Sequence, residues 1–161
     1  MKKLLSLLVI LSLVLLSCAK SRAPADGIAS EVLSQAAIPY AKRYVFGTPE
    51  YSDKYLDGDL SFMLYGCDIY ECCSDFSIAL CKKDVVSELH ILVAQSNSKA
   101  DRLRGCLEER IMILRDKEIY MYDMENAENI NAMIYQNGLY VCLVAGPSSE
   151  IMYERLCELI K

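Results

Sequence analysis

Two stretches of alternating side chains, residues 74–82 and 86–95, limit the folds open to this chain more than any other feature. Apolar residues occupy every second position in both, and this period of two is typical of half-buried β-strands. Lys83, Asp84 and Val85 separate the stretches, and so short a connection favours an antiparallel pair. The alternating apolar residues are Phe76, Ile78 and Leu80 in the first stretch and Leu89, Ile91 and Val93 in the second.

A second hairpin is predicted at Asn137-Gly138, a dipeptide typical of two-residue turns. Its strands span residues 132–136 and 139–145. Residues 40–66 are predicted as a loop with one or two short helical turns, because glycine and proline interrupt any longer element there. A further helical turn is predicted at residues 126–132.

Helical periodicity predicts three main helices. The first has Asp26 as its N-cap and ends near Ile38, the strongest runs from the serines around Asn97 to about Lys117, and the last follows Ser148 or Ser149. The residues predicted to face the core are Ala100, Leu103, Leu107, Ile111 and Leu114 in the strongest helix, and Ile151, Met152, Leu156, Leu159 and Ile160 in the last. The whole pattern predicts a single α+β domain at residues 26–161, with two layers and an antiparallel sheet of about four strands.

The first twenty residues differ from the rest of the chain. Met1-Lys2-Lys3 is positively charged, and residues 4–16 form an apolar run broken by two serines. As a helix this run would span about 20 Å, less than the roughly 30 Å hydrocarbon core of a bilayer, so its shape is that of a secretory signal.

The junction after the apolar run, Leu15-Leu16-Ser17-Cys18, resembles a bacterial lipobox. The resemblance implies cleavage before Cys18, acylation of its sulfur and anchoring at the extracytoplasmic face of the cell membrane. Residues 1–17 would then be the signal peptide and residues 18–25 a short tether. The alternative is an ordinary signal peptide that ends in a cysteine by chance.

The charge of the chain argues against a nucleic-acid partner. Seventeen basic residues face 22 acidic residues, for a net charge of −5. Loss of the leader would remove Lys2 and Lys3 and leave 15 basic residues against 22 acidic ones, a net charge of −7. Phosphate backbones attract basic surfaces, so the expected partner is the membrane, held through the Cys18 lipid, and not a nucleic acid.

Diffuse motifs along residues 18–161 resemble a family of small bacterial lipoproteins, common in anaerobic Gram-positive species and known as a domain of unknown function. They are the lipobox, the turn at residues 64–66, the strand at residues 88–93, the helix at residues 100–110 and the hairpin at residues 137–141. The resemblance implies the domain boundaries and a location at the cell surface. It implies no activity and no catalytic residue.

Seven cysteines follow Cys18, an odd number that cannot pair completely within one chain. Most are expected to be structural free thiols; one or two disulfides, including one between Cys67 and a neighbour, are the alternative. Cys67, Cys72 and Cys73 form the one cluster that suggests chemistry. Neighbouring carboxylates are expected to raise the pKa of these thiols, and their spacing suits neither a redox pair nor a zinc site.

His90 is the single histidine of the chain, and its place within a predicted strand favours a surface or sheet-packing role over catalysis. No nucleophile-elbow, phosphate-loop, dinucleotide or zinc-protease motif occurs in the sequence. We therefore assign no catalytic residue, cofactor or metal, and expect a non-catalytic binding or interaction module. The alternative function is an envelope enzyme or thiol redox protein that uses Cys67, Cys72 and Cys73.

Overall fold

The computed structural model describes residues 23–36, 40–81, 87–116 and 131–161. Several sequence predictions lie outside these residues: the signal peptide at residues 1–17, the lipidated Cys18, the connection at residues 83–85 and the helical turn that begins at residue 126.

The centre of the domain is a five-stranded sheet in which every pair of neighbouring strands is antiparallel. The strand order is β1-β2-β3-β5-β4. β3 lies in the middle of the sheet, between β2 and β5, and is buried along its whole length. The strands are β1 (Tyr40–Val45), β2 (Cys73–Cys81), β3 (Glu88–Ala94), β4 (Ala132–Asn137) and β5 (Tyr140–Ala145).

Four α-helices pack against this sheet within the described residues, which confirms the α+β class. They are α1 (Ala25–Leu33), α2 (Gly58–Tyr65), α3 (Asn97–Arg115) and α4 (Ser149–Leu159), with a 3₁₀ turn at Ile69–Glu71.

The helices cover both faces of the sheet, so the domain has three layers where the sequence predicted two. Alternate strand residues enter two separate hydrophobic cores. In β5, Val141 and Leu143 belong to the first core, beneath α2 and α3, whereas Cys142 and Val144 belong to the second, beneath α1 and α4. A strand that is covered on both faces reads as a nearly continuous apolar run, as residues 141–145 do.

The strand β1 was not predicted, because residues 40–66 were interpreted as a loop. It forms the edge of the sheet next to β2, with Tyr44 opposite Ile78. Tyr44 is buried in the first core, and Arg43 on the other face forms an ion pair of 2.8 Å with Asp26 of α1. Such an edge strand has little apolar pattern of its own, and its position depends on pairing with β2.

The start of α1 also differs from its prediction. Asp26 is not the N-cap; Pro24 precedes the helix, and the backbone N–H of Ala25 donates to the Asp75 carboxylate at 2.8 Å. Asp26 lies in the first turn, where its charge suits the helix dipole. The helix ends at Leu33, earlier than predicted.

The strongest predicted helix and the second predicted hairpin are confirmed. The two-residue turn of the hairpin is Gly138-Leu139, one position later than predicted, because Asn137 still pairs with Tyr140. The Ser96 hydroxyl caps α3 by accepting from the Lys99 N–H at 3.3 Å. Gly138 joins β4 to β5 with φ +57°, a conformation that this turn requires. In α4, Met152 and Leu156 are buried as predicted, but Ile151 is 55% exposed.

Candidate functional site

A chain of four polar side chains crosses the first core between α2, β3 and α3. His90 and Glu88 are two residues apart on β3 and therefore point to the same face of the sheet. Tyr65 reaches them from the end of α2, and Arg110 reaches them from α3. We call Tyr65, His90, Glu88 and Arg110 the polar chain.

His90 is completely buried, and both of its ring nitrogens have partners. Nε2 lies 2.9 Å from Glu88 Oε2, and Nδ1 lies 2.6 Å from the Tyr65 hydroxyl. An ionised carboxylate can only accept, so Nε2 carries a proton, and in the neutral ring Nδ1 accepts from the Tyr65 O–H. The Tyr65 and His90 rings also pack edge to face, with centroids 5.6 Å apart.

Glu88 is held by two donors on Arg110 as well as by His90. Arg110 Nη2 lies 2.5 Å from Oε1, and Nε lies 3.1 Å from Oε2, a two-pronged contact. Burial opposes ionisation of Glu88, but the hydrogen bonds from His90 and Arg110 outweigh burial and lower its pKa to about 2. The carboxylate is therefore charged at neutral pH inside the domain.

The hydrogen bonding of the polar chain suits a structural role in the core better than proton transfer to a ligand. Burial holds the pKa of Tyr65 well above its ordinary value, so its hydroxyl keeps its proton at neutral pH. His90 has no ring nitrogen left to act on a substrate in this arrangement. The sequence placed His90 in a strand but did not identify Tyr65 or Arg110 as its neighbours; Glu88, on the same strand face, was the available signal.

The structure brings a fourth thiol to two members of the predicted cysteine cluster. Cys67 follows α2, Cys72 follows the 3₁₀ turn, and both are buried. Cys106, which lies on α3, packs against the same hydrophobic core. We call Cys67, Cys72 and Cys106 the thiol cluster. Cys106 is only half-buried.

Burial is the main reason that the pKa of each clustered thiol is raised. For Cys67, Cys72 and Cys73 the predicted rise in pKa is correct, but its main cause is burial and not the neighbouring carboxylates. At Cys73, burial and the nearby thiols raise the pKa more than Asp75 does. The Arg102 charge acts the other way on all three thiols of the cluster.

Two of the remaining described cysteines lie apart from this cluster. Cys142 is buried in the second core, and Cys157 is half-buried on α4. All six cysteines whose side chains are described are free thiols. Within the described ranges, no group of three or more His, Cys, Asp or Glu side chains has a metal-binding arrangement.

A shallow cleft of about 200 Å³ lies beside α4 and is lined by charged side chains. Arg155 lines the cleft and is already paired with Glu31 at 2.8 Å and with Glu158 at 2.6 Å. These ion pairs occupy the charges that a ligand would need, so the cleft defines no specific site.

Comparisons with known proteins found no relative of this chain. No family model, no curated protein and no solved structure matches the chain. Across the part of the chain that the structure describes, the helices are all too short or too polar to cross a membrane.

Proposed function

We propose that this protein is a lipoprotein anchored at the extracytoplasmic face of the cell membrane through Cys18, with a non-catalytic α+β domain that binds a partner there. The single observation that carries the proposal is the Ser17-Cys18 junction at the end of a charged and then apolar leader. Membership in the small lipoprotein family that the sequence resembles is part of the same proposal.

The position of the folded domain supports this anchoring. The Tyr140 hydroxyl donates to the Ala23 carbonyl at 2.8 Å, so the chain is tied to the sheet five residues after Cys18. Five residues reach at most about 18 Å when fully extended. The domain would therefore sit directly over the lipid headgroups, where two acyl chains at about 0.8 kcal/mol per buried CH₂ hold it firmly.

The hydrogen bonds within the polar chain support a binding role for the protein in preference to an enzymatic one. Both ring nitrogens of the single histidine are bonded within the core. The enzymatic alternative would use Cys67, Cys72 and Cys73, but burial raises the pKa of each and disfavours the thiolate that such chemistry needs.

Expression of the full chain in a bacterium that processes lipoproteins tests the anchor. The wild-type protein is expected in the detergent phase of a Triton X-114 extract, with a diacylglyceryl group on an N-terminal Cys18. Cys18→Ala should leave the longer, unlipidated precursor, whereas Cys157→Ala should behave like the wild type. Lipid-free masses for both the wild type and Cys18→Ala, differing only by the substituted side chain, would refute the anchor.

The same preparation tests the non-catalytic part of the proposal. A thiol probe added without denaturant is expected to label Cys67, Cys72 and Cys73 slowly, and to label them fully after unfolding. Rapid labelling of any of the three in the folded protein would favour the enzymatic alternative.

A further inference from the structure

The start of α1 and the loop after β1 lie at the same end of the sheet. The Ala25 N–H, at the start of α1, donates to the Asp75 carboxylate at 2.8 Å. The Phe46 N–H, directly after β1, donates to the carbonyl of the next residue of β2, Phe76, at 3.0 Å. Neighbouring residues of β2 therefore hold the start of α1 and the start of the loop at residues 46–57.

We call this end of the sheet, where β2 begins and β3 ends, the tether end. Four residues separate Cys18 from Ala23, whose carbonyl accepts from the Tyr140 hydroxyl at 2.8 Å. Tyr140 is the first residue of β5 and lies beside the end of β3. A lipid on Cys18 would therefore keep the tether end within about 18 Å of the bilayer.

Aromatic side chains are concentrated at the tether end. Tyr51, in the loop, is 92% exposed. Half-buried Tyr55 stacks on Tyr70 with ring centroids 6.1 Å apart. Tyr70 in turn packs against Phe46 and Phe76, with centroids 5.8 Å and 5.2 Å away. The tether end thus carries a group of partly exposed rings, fixed to the first core by Phe76, and one almost fully exposed tyrosine.

The loop holds Tyr51 in a defined place. The Ser52 N–H donates to the Pro49 carbonyl at 2.9 Å, so Tyr51 lies within a closed turn. The Val45 N–H donates to the Lys54 carbonyl at 3.0 Å, which ties the loop to β1. The exposure of Tyr51 is therefore a property of the folded loop.

We propose that the tether end is a membrane-docking surface, at which Tyr51 enters the headgroup layer of the bilayer that holds Cys18. The inference rests on the proposed lipid anchor and goes further, because it names the surface of the domain that the lipid contacts. A tyrosine suits this position, since its ring is apolar while its hydroxyl stays hydrated, a combination that favours membrane–water interfaces.

The charges of the loop give no reason for attraction to anionic lipid. Residues 46–57 carry one basic residue, Lys54, against three acidic ones, Glu50, Asp53 and Asp57. Anionic lipid surfaces attract clusters of basic residues, which this loop lacks. The contact is therefore expected to depend on the aromatic ring, and neutral phosphatidylcholine is the lipid that tests it.

The chain has no tryptophan, so one introduced tryptophan reports on its own surroundings. The test places Tyr51→Trp in the full acylated chain and reconstitutes it into phosphatidylcholine vesicles with or without bromine on the acyl chains. Bromine quenches tryptophan that lies in the lipid. Tyr51→Trp is expected to lose much of its emission in the brominated vesicles and to be shielded from iodide in the buffer.

Two other variants make the result specific, and circular dichroism would confirm that each is folded. Met112→Trp is the matched control: Met112 is 64% exposed, and it follows Arg110, which contacts Glu88 at the opposite end of the sheet. Its emission should be equal in both kinds of vesicle. Phe62→Trp reports on the outer side of α2, where Phe62 is 65% exposed.

The intact mass of each sample shows whether Cys18 is acylated, so failure of the anchor and failure of the docking surface are distinguishable. Equal emission of Tyr51→Trp in both kinds of vesicle, from acylated protein, would overturn the docking surface and leave Tyr51 free for a protein partner. Quenching of Met112→Trp to the same extent as Tyr51→Trp would also overturn it, and so would quenching of Phe62→Trp alone, which would place α2 against the bilayer. A chain without an acyl group would refute the anchor and, with it, this inference.

Discussion

Glu88 is a charged residue inside a hydrophobic core. Its charge is tolerated there because neighbouring side chains compensate it. Removing one partner from a buried ion pair leaves the other charge without compensation, which typically costs about 3 to 5 kcal/mol. Glu88→Gln is therefore expected to destabilise the domain strongly at pH 7, since Arg110 and His90 would lose their carboxylate. Glu108→Gln is the matched control: Glu108 pairs with Arg104 at 2.9 Å on the exposed face of α3, where a pair contributes about 0 to 1 kcal/mol.

The contribution of Glu88 to the free energy of unfolding should also depend on pH. Its pKa falls from the ordinary 4.5 to about 2 on folding, so its contribution is fully present above about pH 4.5 and is lost as the pH falls through 2. This shift corresponds to about 3 kcal/mol. Urea denaturation at pH 7 and near pH 2 should show the gap between the wild type and Glu88→Gln closing in acid. A gap that is the same at both pH values would contradict the polar chain.

At the residue level, the sequence located His90 in a strand but not its partners. Tyr65 is 25 residues away and Arg110 is 20 residues away, on different helices. Contacts of this range depend on how the helices pack on the sheet, which no local pattern encodes. The same holds for Cys106 on α3, which packs against the first core to which Cys67 belongs.

At the level of helices and strands, the elements whose own sequence carries a clear pattern were predictable. The stripe on α3 repeats at helical spacing, and Ser96 caps the helix within the same segment. The Asn137-Gly138 dipeptide predicted the hairpin to within one residue of its actual turn, Gly138-Leu139. β1 and the start of α1 were not predictable, because each depends on distant residues. β1 pairs with β2, more than 30 positions away, and the Ala25 N–H donates to Asp75, 50 positions away.

The buried face of α3 gives a direct stability prediction. Leu107 is completely buried, so Leu107→Ala should cost about 2 to 5 kcal/mol through lost contacts and a cavity. Glu109→Ala, on the exposed face, should change the free energy of unfolding by about 0.5 kcal/mol or less. Chemical denaturation of residues 19–161 measures both. Equal, small shifts would mean that the buried face of α3 is assigned incorrectly.

At the level of the whole molecule, the three-layer arrangement makes α4 as much a part of the core as α3. Leu156 is completely buried in the second core. Leu156→Ala should therefore also cost about 2 to 5 kcal/mol, whereas Ile151→Ala, on the exposed face of the same helix, should have little effect. If Leu156→Ala unfolded at the same denaturant concentration as the wild type, α4 would not cover that face of the sheet.

The layer count was predicted incorrectly because the apolar pattern of a fully covered strand does not reveal what covers it. Residues 141–145 read as a continuous apolar run, and both cores draw on them. The hairpins and helices were predictable from local periodicity, but the faces of the sheet to which the helices return depend on the whole topology.

We propose above all that a lipid on Cys18 anchors the domain at the membrane. The most direct measurement is the intact mass of the wild-type protein extracted from membranes of a bacterium that processes lipoproteins. We predict the mass of residues 18–161 plus a diacylglyceryl group, with the added mass located on the N-terminal cysteine by fragmentation. A chain that begins at Met1, or one cleaved at another position with an unmodified Cys18, would contradict the claim.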